Sequence, residues 1–190
     1  MTRIAVLASG GGSNLQALLD AIDAHGAASP AQVVLVASDR AGAFALERAR
    51  RRGIATAVIA APADGAALAA LLAAHDAQMV VLAGYLKLVP PDVVRRFAGA
   101  IVNIHPALLP AFGGPGMYGH HVHDAVLAAG ASESGATVHH VSAEYDRGAI
   151  IAQQKVPVLP NDTAASLAAR VLQAEHELYP RTILDLATRP

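Results

Sequence analysis

Short runs rich in β-branched residues alternate with longer Ala/Leu segments, and this alternation constrains the fold more than any other feature of the chain. The runs at 4–8, 33–38, 55–59, 79–83 and 100–103 are almost continuously apolar, as strands are when both faces of a parallel sheet are covered. Between them, segments 14–24, 43–51 and 66–75 place apolar residues at helical spacing, and Gly26 and Gly53 stand where helix C-termini favour glycine. The order is therefore βαβαβαβαβ, with three of its helices bounded by sequence. After Asn103 the pattern changes to a Pro- and Gly-rich loop over 106–119, a helix near 121–129, strand-like runs at 136–141 and 149–156, and a final helix over about 163–186. No internal repeat, linker or second core interrupts the 190 residues, a length suited to one domain. The expectation is a single-domain α/β fold, residues 1–190, built as a Rossmann-like three-layer sandwich with a mainly parallel central sheet and an antiparallel late portion.

Composition narrows the partners. Hydrophobic residues make up 54% of the chain and aromatics only 4%, so the core must come from Ala, Val, Leu and Ile. The formal net charge of −1 and the lack of a long Lys/Arg run leave no electrostatic footprint for a phosphate backbone, and nucleic acid is not expected as a partner. With no cysteine, disulfides, Cys-ligated zinc and iron–sulfur clusters are excluded, which fits a cytoplasmic setting. Residues 1–3 run directly into an apolar stretch too short for a signal peptide, and the greasy segment 66–74 stops at His75 and Asp76, well short of the roughly 20 residues of a bilayer crossing. No membrane association is expected.

In open α/β sheets ligands lie beyond the carboxyl ends of the strands, and three polar stretches fall there. The first is Ser9-Gly10-Gly11-Gly12-Ser13-Asn14, between the first strand and the first helix. Its glycines allow a tight turn and close approach of a ligand, and the free N–H groups of the helix start favour an anion. The same run equally suits a plain turn capped by Ser13. A dinucleotide site would use Gly10, Gly12 and Asp39 but needs a third glycine where Leu15 stands. A nucleoside-triphosphate loop would need a Lys after the glycines, and none is there. A single phosphate fits best.

The second stretch is Asn103-Ile104-His105-Pro106. Side chains two apart on an extended chain face the same way, and an amide and an imidazole aimed at one point are what a tetrahedral oxyanion requires. A histidine that merely caps its own loop is the plainer alternative. The third stretch, Ser142 to Gly148, is an acidic loop in which Gly148 is expected to relieve a positive φ and which alone reads only as turn chemistry.

Taken together, Ser-Gly-Gly-Gly-Ser-Asn, Asn-Ile-His-Pro-Ala-Leu-Leu-Pro and the distant Asp146-Arg147-Gly148 resemble the folate-dependent formyltransferase family. The likeness runs from Ile4 through Glu175-His176-Glu177-Leu178-Tyr179-Pro180. It implies transfer of a formyl group from 10-formyltetrahydrofolate, as co-substrate and without a metal, to the amine of glycinamide ribonucleotide in purine synthesis. Gly11, Gly12, Ser13 and Asn14 would hold the ribonucleotide phosphate, and Glu175 its ribose. Leu86, Lys87, Leu88 and Val89 would line the folate pocket opposite Ser142, Ala143, Glu144, Tyr145 and Asp146. Asn103 would contact both the folate and its formyl oxygen. His105 would stabilise charge on that oxygen, with its own pKa raised by Asp146, which orients it and assists proton transfer. Partners would be these two small molecules, with the protein a monomer or homodimer. Formyltetrahydrofolate hydrolysis, formylation of another amine and nucleotide binding without catalysis are the alternatives.

The chain departs from the family pattern at Pro115, where relatives with this loop carry Lys, at Lys87, where Arg is frequent, at Leu172, and in a shortened segment around 64–66. His120, His121 and His123 are expected to cap a helix rather than bind metal. Of His139 and His140, one is expected to face inward and buttress the site. Arg48, Arg50, Arg51 and Arg52 are expected to form a solvated last helical turn. A proline beside the site makes Leu109-Pro110 a place to look for a cis bond.

Overall fold

Residue parity along β1 (Thr2–Leu7) sets up the three layers. Ile4 and Val6 pack into one apolar cluster, while Ala5 and Leu7 pack into another on the opposite face. All four are fully buried, so β1 lies in the middle of a sheet covered on both sides. In the computed structural model, which describes residues 1–189, α1 (Ser13–His25), a tight helical turn (Gly26–Ala28), β2 (Ala31–Ser38), α2 (Phe44–Arg51), β3 (Ala55–Val58), α3 (Gly65–Ala74), β4 (Met79–Leu82), α4 (Pro91–Arg96), β5 (Ile101–His105), α5 (His120–Ala128), β6 (Glu133–His140), β7 (Ile150–Pro157) and α6 (Ala164–Ala187) follow in order.

The seven strands form one sheet in the order β3-β2-β1-β4-β5-β6-β7. Pairs among β1 to β5 are parallel, and β5–β6 and β6–β7 are antiparallel. The expected mainly parallel sheet with an antiparallel late portion is thus observed. One cluster packs Leu15 and Leu18 of α1, Leu46 of α2 and Leu178 and Ile183 of α6 on the sheet. The other packs Leu68 and Leu72 of α3 and Val93 of α4 on the opposite face. A third, smaller cluster joins Val126 of α5 to Leu167 and Val171 of α6.

Two features were not legible beforehand. The six-residue α4 opens with Pro91 at its first position, where a missing N–H costs nothing, but it is too short to show periodicity. β6 begins at Glu133, because Ser134 and Gly135 pair with Val156 and Lys155. There the glycine is needed, since a Cβ would collide with the Gln154 carbonyl oxygen.

The order also fixes the site. After β1 the chain moves outward to β2 and β3, and then returns to β4 on the other side of β1. The switch point therefore falls between β1 and β4, where an open α/β sheet presents its crevice. There Ser9 N–H donates to Gly84 O at 3.0 Å, and Leu86 N–H donates to Ser9 Oγ at 2.9 Å. Tyr179 of α6 reaches under the crevice with its hydroxyl 2.9 Å from Leu82 O and 3.0 Å from Val102 O, tying the ends of β4 and β5 together.

Candidate functional site

A cleft of about 400 Å³ opens at this edge, within the size range of small-molecule sites. Asn103 and His105 share one wall, as their spacing on β5 requires. Beyond His105 the chain is pinned from β6 and β7. Thr137 Oγ1 donates to Ala107 O at 2.6 Å and accepts from Leu109 N–H at 3.0 Å, and Gln153 Nε2 donates to Leu109 O at 2.9 Å. The Leu109-Pro110 bond is cis.

His105 is 3% exposed. Its Nε2 donates to Phe112 O at 2.8 Å, and its Nδ1 lies 3.5 Å from Asp146 Oδ2. Burial lowers its pKa below the ordinary 6.5, and this outweighs the opposing pull of Asp146 and the Phe112 carbonyl. Asp146 pulls the value up as expected, but the net shift is downward, so the resting imidazole favours its neutral form. Burial acts to raise the pKa of Asp146, but the nearby His139 and His105 rings and the N–H of Gly114, donated to Oδ2 at 2.9 Å, together bring it below the ordinary carboxylate value.

Asp146 itself takes the left-handed conformation, with φ 54°. Gly148 does not, contrary to expectation; it must be glycine because a Cβ there would run into the His140 carbonyl oxygen. Gly113 allows the loop before α5 to lie against this turn, since its Cβ would stand 3.1 Å from that of Asp146.

His139 completes the cluster. It is 2% exposed, so it is the inward member of its pair. Its Nδ1 donates to His140 O at 2.8 Å, which leaves Nε2 to accept from Asn103 Nδ2 at 3.0 Å. The same Nε2 is 3.5 Å from Asp146 Oδ1. Strand alternation signals an inward histidine here, but nothing in the sequence says that it meets both Asn103 and Asp146.

At the other end of the cleft Asn14 Nδ2 donates to Glu175 Oε2 at 2.6 Å, joining α1 to α6. Both are nearly buried. Burial raises the Glu175 pKa, and the Asn14 hydrogen bond opposes it. Gly11, Gly12 and Ser13 lie at the start of α1, beside the cleft rather than on its wall. Gly12 has φ 70° and would place a Cβ 2.8 Å from that of Ala45, so glycine is required at that turn. Leu86, Lys87, Leu88 and Val89 line the cleft, as do Ser142, Glu144, Tyr145 and Asp146, while Ala143 is outside its lining.

Tyr85 and the loop residues 114–119 also line the cleft, and sequence reasoning did not place them there. Burial, with Asp39 and Tyr145 nearby, pushes the Tyr85 hydroxyl up to about 12, so it is un-ionised at neutral pH.

The helix-capping role expected of the α5 histidines is not observed, because Gly119 is the N-cap and no side chain caps it. His123 turns inward at 5% exposure. His120, His121 and Asp124 are exposed, with potential metal-ligating atoms within 4.8 Å of one another. Arg50 and Arg51 pair with Glu47 on the surface as expected. Arg48 and Arg52 instead reach across to α1 or the loop before it. Among the described residues no helix is long and apolar enough to cross a membrane.

A crevice at the switch point, lined by the Asn103 amide, the His105 imidazole and the Asp146 carboxylate together with Asn14 and Glu175, marks an open α/β sheet with its site at the carboxyl ends of its strands. The chain belongs to the formyl transferase family, whose model matches residues 2–183. A chloroplastic phosphoribosylglycinamide formyltransferase of Vigna unguiculata is 42% identical over 95% of this chain and 59% of its own length. The chain thus spans about three-fifths of that relative. The phosphoribosylglycinamide formyltransferase of Escherichia coli is 41% identical over 95% of this chain and 84% of its own. Among solved structures, glycinamide ribonucleotide transformylase 1 from Symbiobacterium toebii superposes with a TM-score of 0.90 at 44% identity, covering 98% of this chain and 88% of that one.

Proposed function

We propose that the chain transfers the formyl group of 10-formyltetrahydrofolate to the amine of 5-phosphoribosylglycinamide, a step of purine biosynthesis. The observation that carries this reading is the shared wall of one cleft, where Asn103, His105 and Asp146 stand within reach of one another while Asn14 and Glu175 close the far end. The names of the relatives support the choice of acceptor. On this reading residues 1–190 act as one cytoplasmic domain on two small molecules, with no metal and no nucleic acid.

The folate lies between 86–89 and 142–146, and the ribonucleotide places its phosphate at Gly11, Gly12, Ser13 and Asn14 and its ribose at Glu175. The amine attacks the formyl carbon, and the carbonyl electrons move onto oxygen. Asn103 donates an N–H to that oxygen, a contact worth about 3 kcal/mol in comparable sites. The new ammonium then loses a proton through water to His105 and Asp146. Burial keeps His105 free to accept it, and the ionised Asp146 steadies the resulting imidazolium beside the growing negative charge. Expulsion of the folate nitrogen, which takes up a proton, restores the carbonyl. His139 keeps the Asn103 amide oriented through its Nε2.

A spectrophotometric assay of folate release, run with and without the ribonucleotide, tests the reading. Release only when the amine is present is the expected result. Release without it points to hydrolysis, and binding of the ribonucleotide without turnover points to a nucleotide-binding protein.

A further inference from the structure

We propose that Arg48 is a positioning residue for the phosphate end of this site, locking the glycine loop so that its N–H groups face the anion and placing a fixed positive charge behind them. The inference rests on the phosphate assignment above. Three successive loop carbonyls are each held by a donor: Gly10 O by Ala45 N–H at 3.1 Å, Gly11 O by Arg48 Nε at 2.8 Å, and Gly12 O by Gln16 N–H at 2.9 Å. In a planar trans peptide the C=O and the next N–H point in opposite directions. Holding these carbonyls therefore aims the N–H groups of Gly11, Gly12 and Ser13 the other way. Among the described residues no protein acceptor meets those three N–H groups or that of Asn14. A row of such donors in a turn containing a left-handed residue is a concave anion site.

Arg48 supplies the only side chain among the three holding donors, and it orients the Gly12 N–H at the most permissive point of the loop. Its own geometry is fixed. Nη1 donates to Gln16 Oε1 at 2.9 Å, and the guanidinium stands 4.9 Å over the ring of Phe44. Its charge is also uncommitted. Arg50, Arg51 and Arg52 each have a carboxylate within ion-pair distance, whereas among the described residues Arg48 has none. The three neighbouring arginines are surface ion pairs, but Arg48 carries its net positive charge to the back of the loop.

The test compares KM for 5-phosphoribosylglycinamide and for the riboside lacking phosphate, in the full-length wild type, Arg48→Ala, Arg48→Met and Arg48→Lys. Arg48→Ala is expected to raise KM for the phosphorylated acceptor about tenfold or more. The KM for the phosphate-free acceptor, the folate KM and kcat should stay within about twofold. Arg48→Met keeps the stem over Phe44 and should show the same selective loss, carrying the test if Arg48→Ala does not fold. Arg48→Lys keeps the charge without the fork and should recover part of the loss. Equal losses for both acceptors, or no loss, overturn the proposal. A wild type that turns over both acceptors with one KM removes the phosphate assignment itself. That failure is distinct from an indifferent variant set in an enzyme that does discriminate.

Discussion

Asp146 Oδ2 lies 3.5 Å from His105 Nδ1 and accepts the Gly114 backbone N–H at 2.9 Å. One carboxylate therefore joins the end of β5, the loop before α5 and the turn between β6 and β7. Its charge is the part that the proposed chemistry uses, since it compensates a proton arriving on His105. Asp146→Asn keeps the shape and removes the charge. We expect kcat to fall about 10²- to 10⁴-fold with an unchanged circular dichroism spectrum, and the optimum to move as His105 loses its compensating neighbour.

Buried histidines make stability depend on acidity in a defined direction. Burial lowers the pKa values of His105 and His123 below the ordinary 6.5, so on acidification the unfolded chain takes up protons near 6.5 while the folded chain does not. Between those values the unfolded state binds more protons, and stability falls as pH drops. Urea unfolding is expected to show a lower midpoint at about pH 5.5 than at about pH 7. His123→Leu should flatten that dependence, because His123 is buried with an unpartnered Nδ1. An unchanged slope in the variant counts against this assignment.

The carboxylate at the other end behaves in the opposite sense. Glu175 has a folded pKa raised above its ordinary 4.5 by burial. The stability contributed by its protonated form is full below 4.5 and is lost as pH rises through the folded value. Glu175→Gln therefore should not lower the neutral-pH unfolding midpoint, and it retains an oxygen for the Asn14 amide. It should raise the acceptor KM by about 10- to 100-fold, the loss of a charged hydrogen bond to a ribose hydroxyl, and leave the folate KM alone.

The parallel sheet and the pairing of Asn103 with His105 were legible because they rest on local signals, whereas Asp146 and Glu175 were reached only through the family resemblance. β-branched runs mark strands, glycines mark turns, and two-residue spacing put Asn103 and His105 on one face. The missed features depend on contacts between distant segments. His139 joins Asn103 and Asp146 only because β6 runs antiparallel beside β5 in a particular register, and the direction of the His105 shift depends on how much of the loop 106–114 covers it. The need for glycine at 148 comes from the approach of the His140 carbonyl, which turn chemistry cannot show. Arg48 looked like its neighbours because a run of arginines does not reveal which of them faces α1.

Tyr179 offers a test of how the sheet supports the cleft. Its buried hydroxyl lies between Leu82 O and Val102 O, the latter belonging to the residue before Asn103 on β5. Tyr179→Phe should destabilise the fold by about 1–2 kcal/mol, measured by urea unfolding. The loss in kcat should be much smaller than that of Asp146→Asn.

The account depends most on Asn103 and His105 acting on one formyl group, and the single-turnover rate of His105→Ala measures this directly. With substrates saturating and folate affinity determined separately, a rate lowered about 10²- to 10³-fold at unchanged folate affinity is the predicted result. Turnover at the wild-type rate in a folded His105→Ala protein would contradict it.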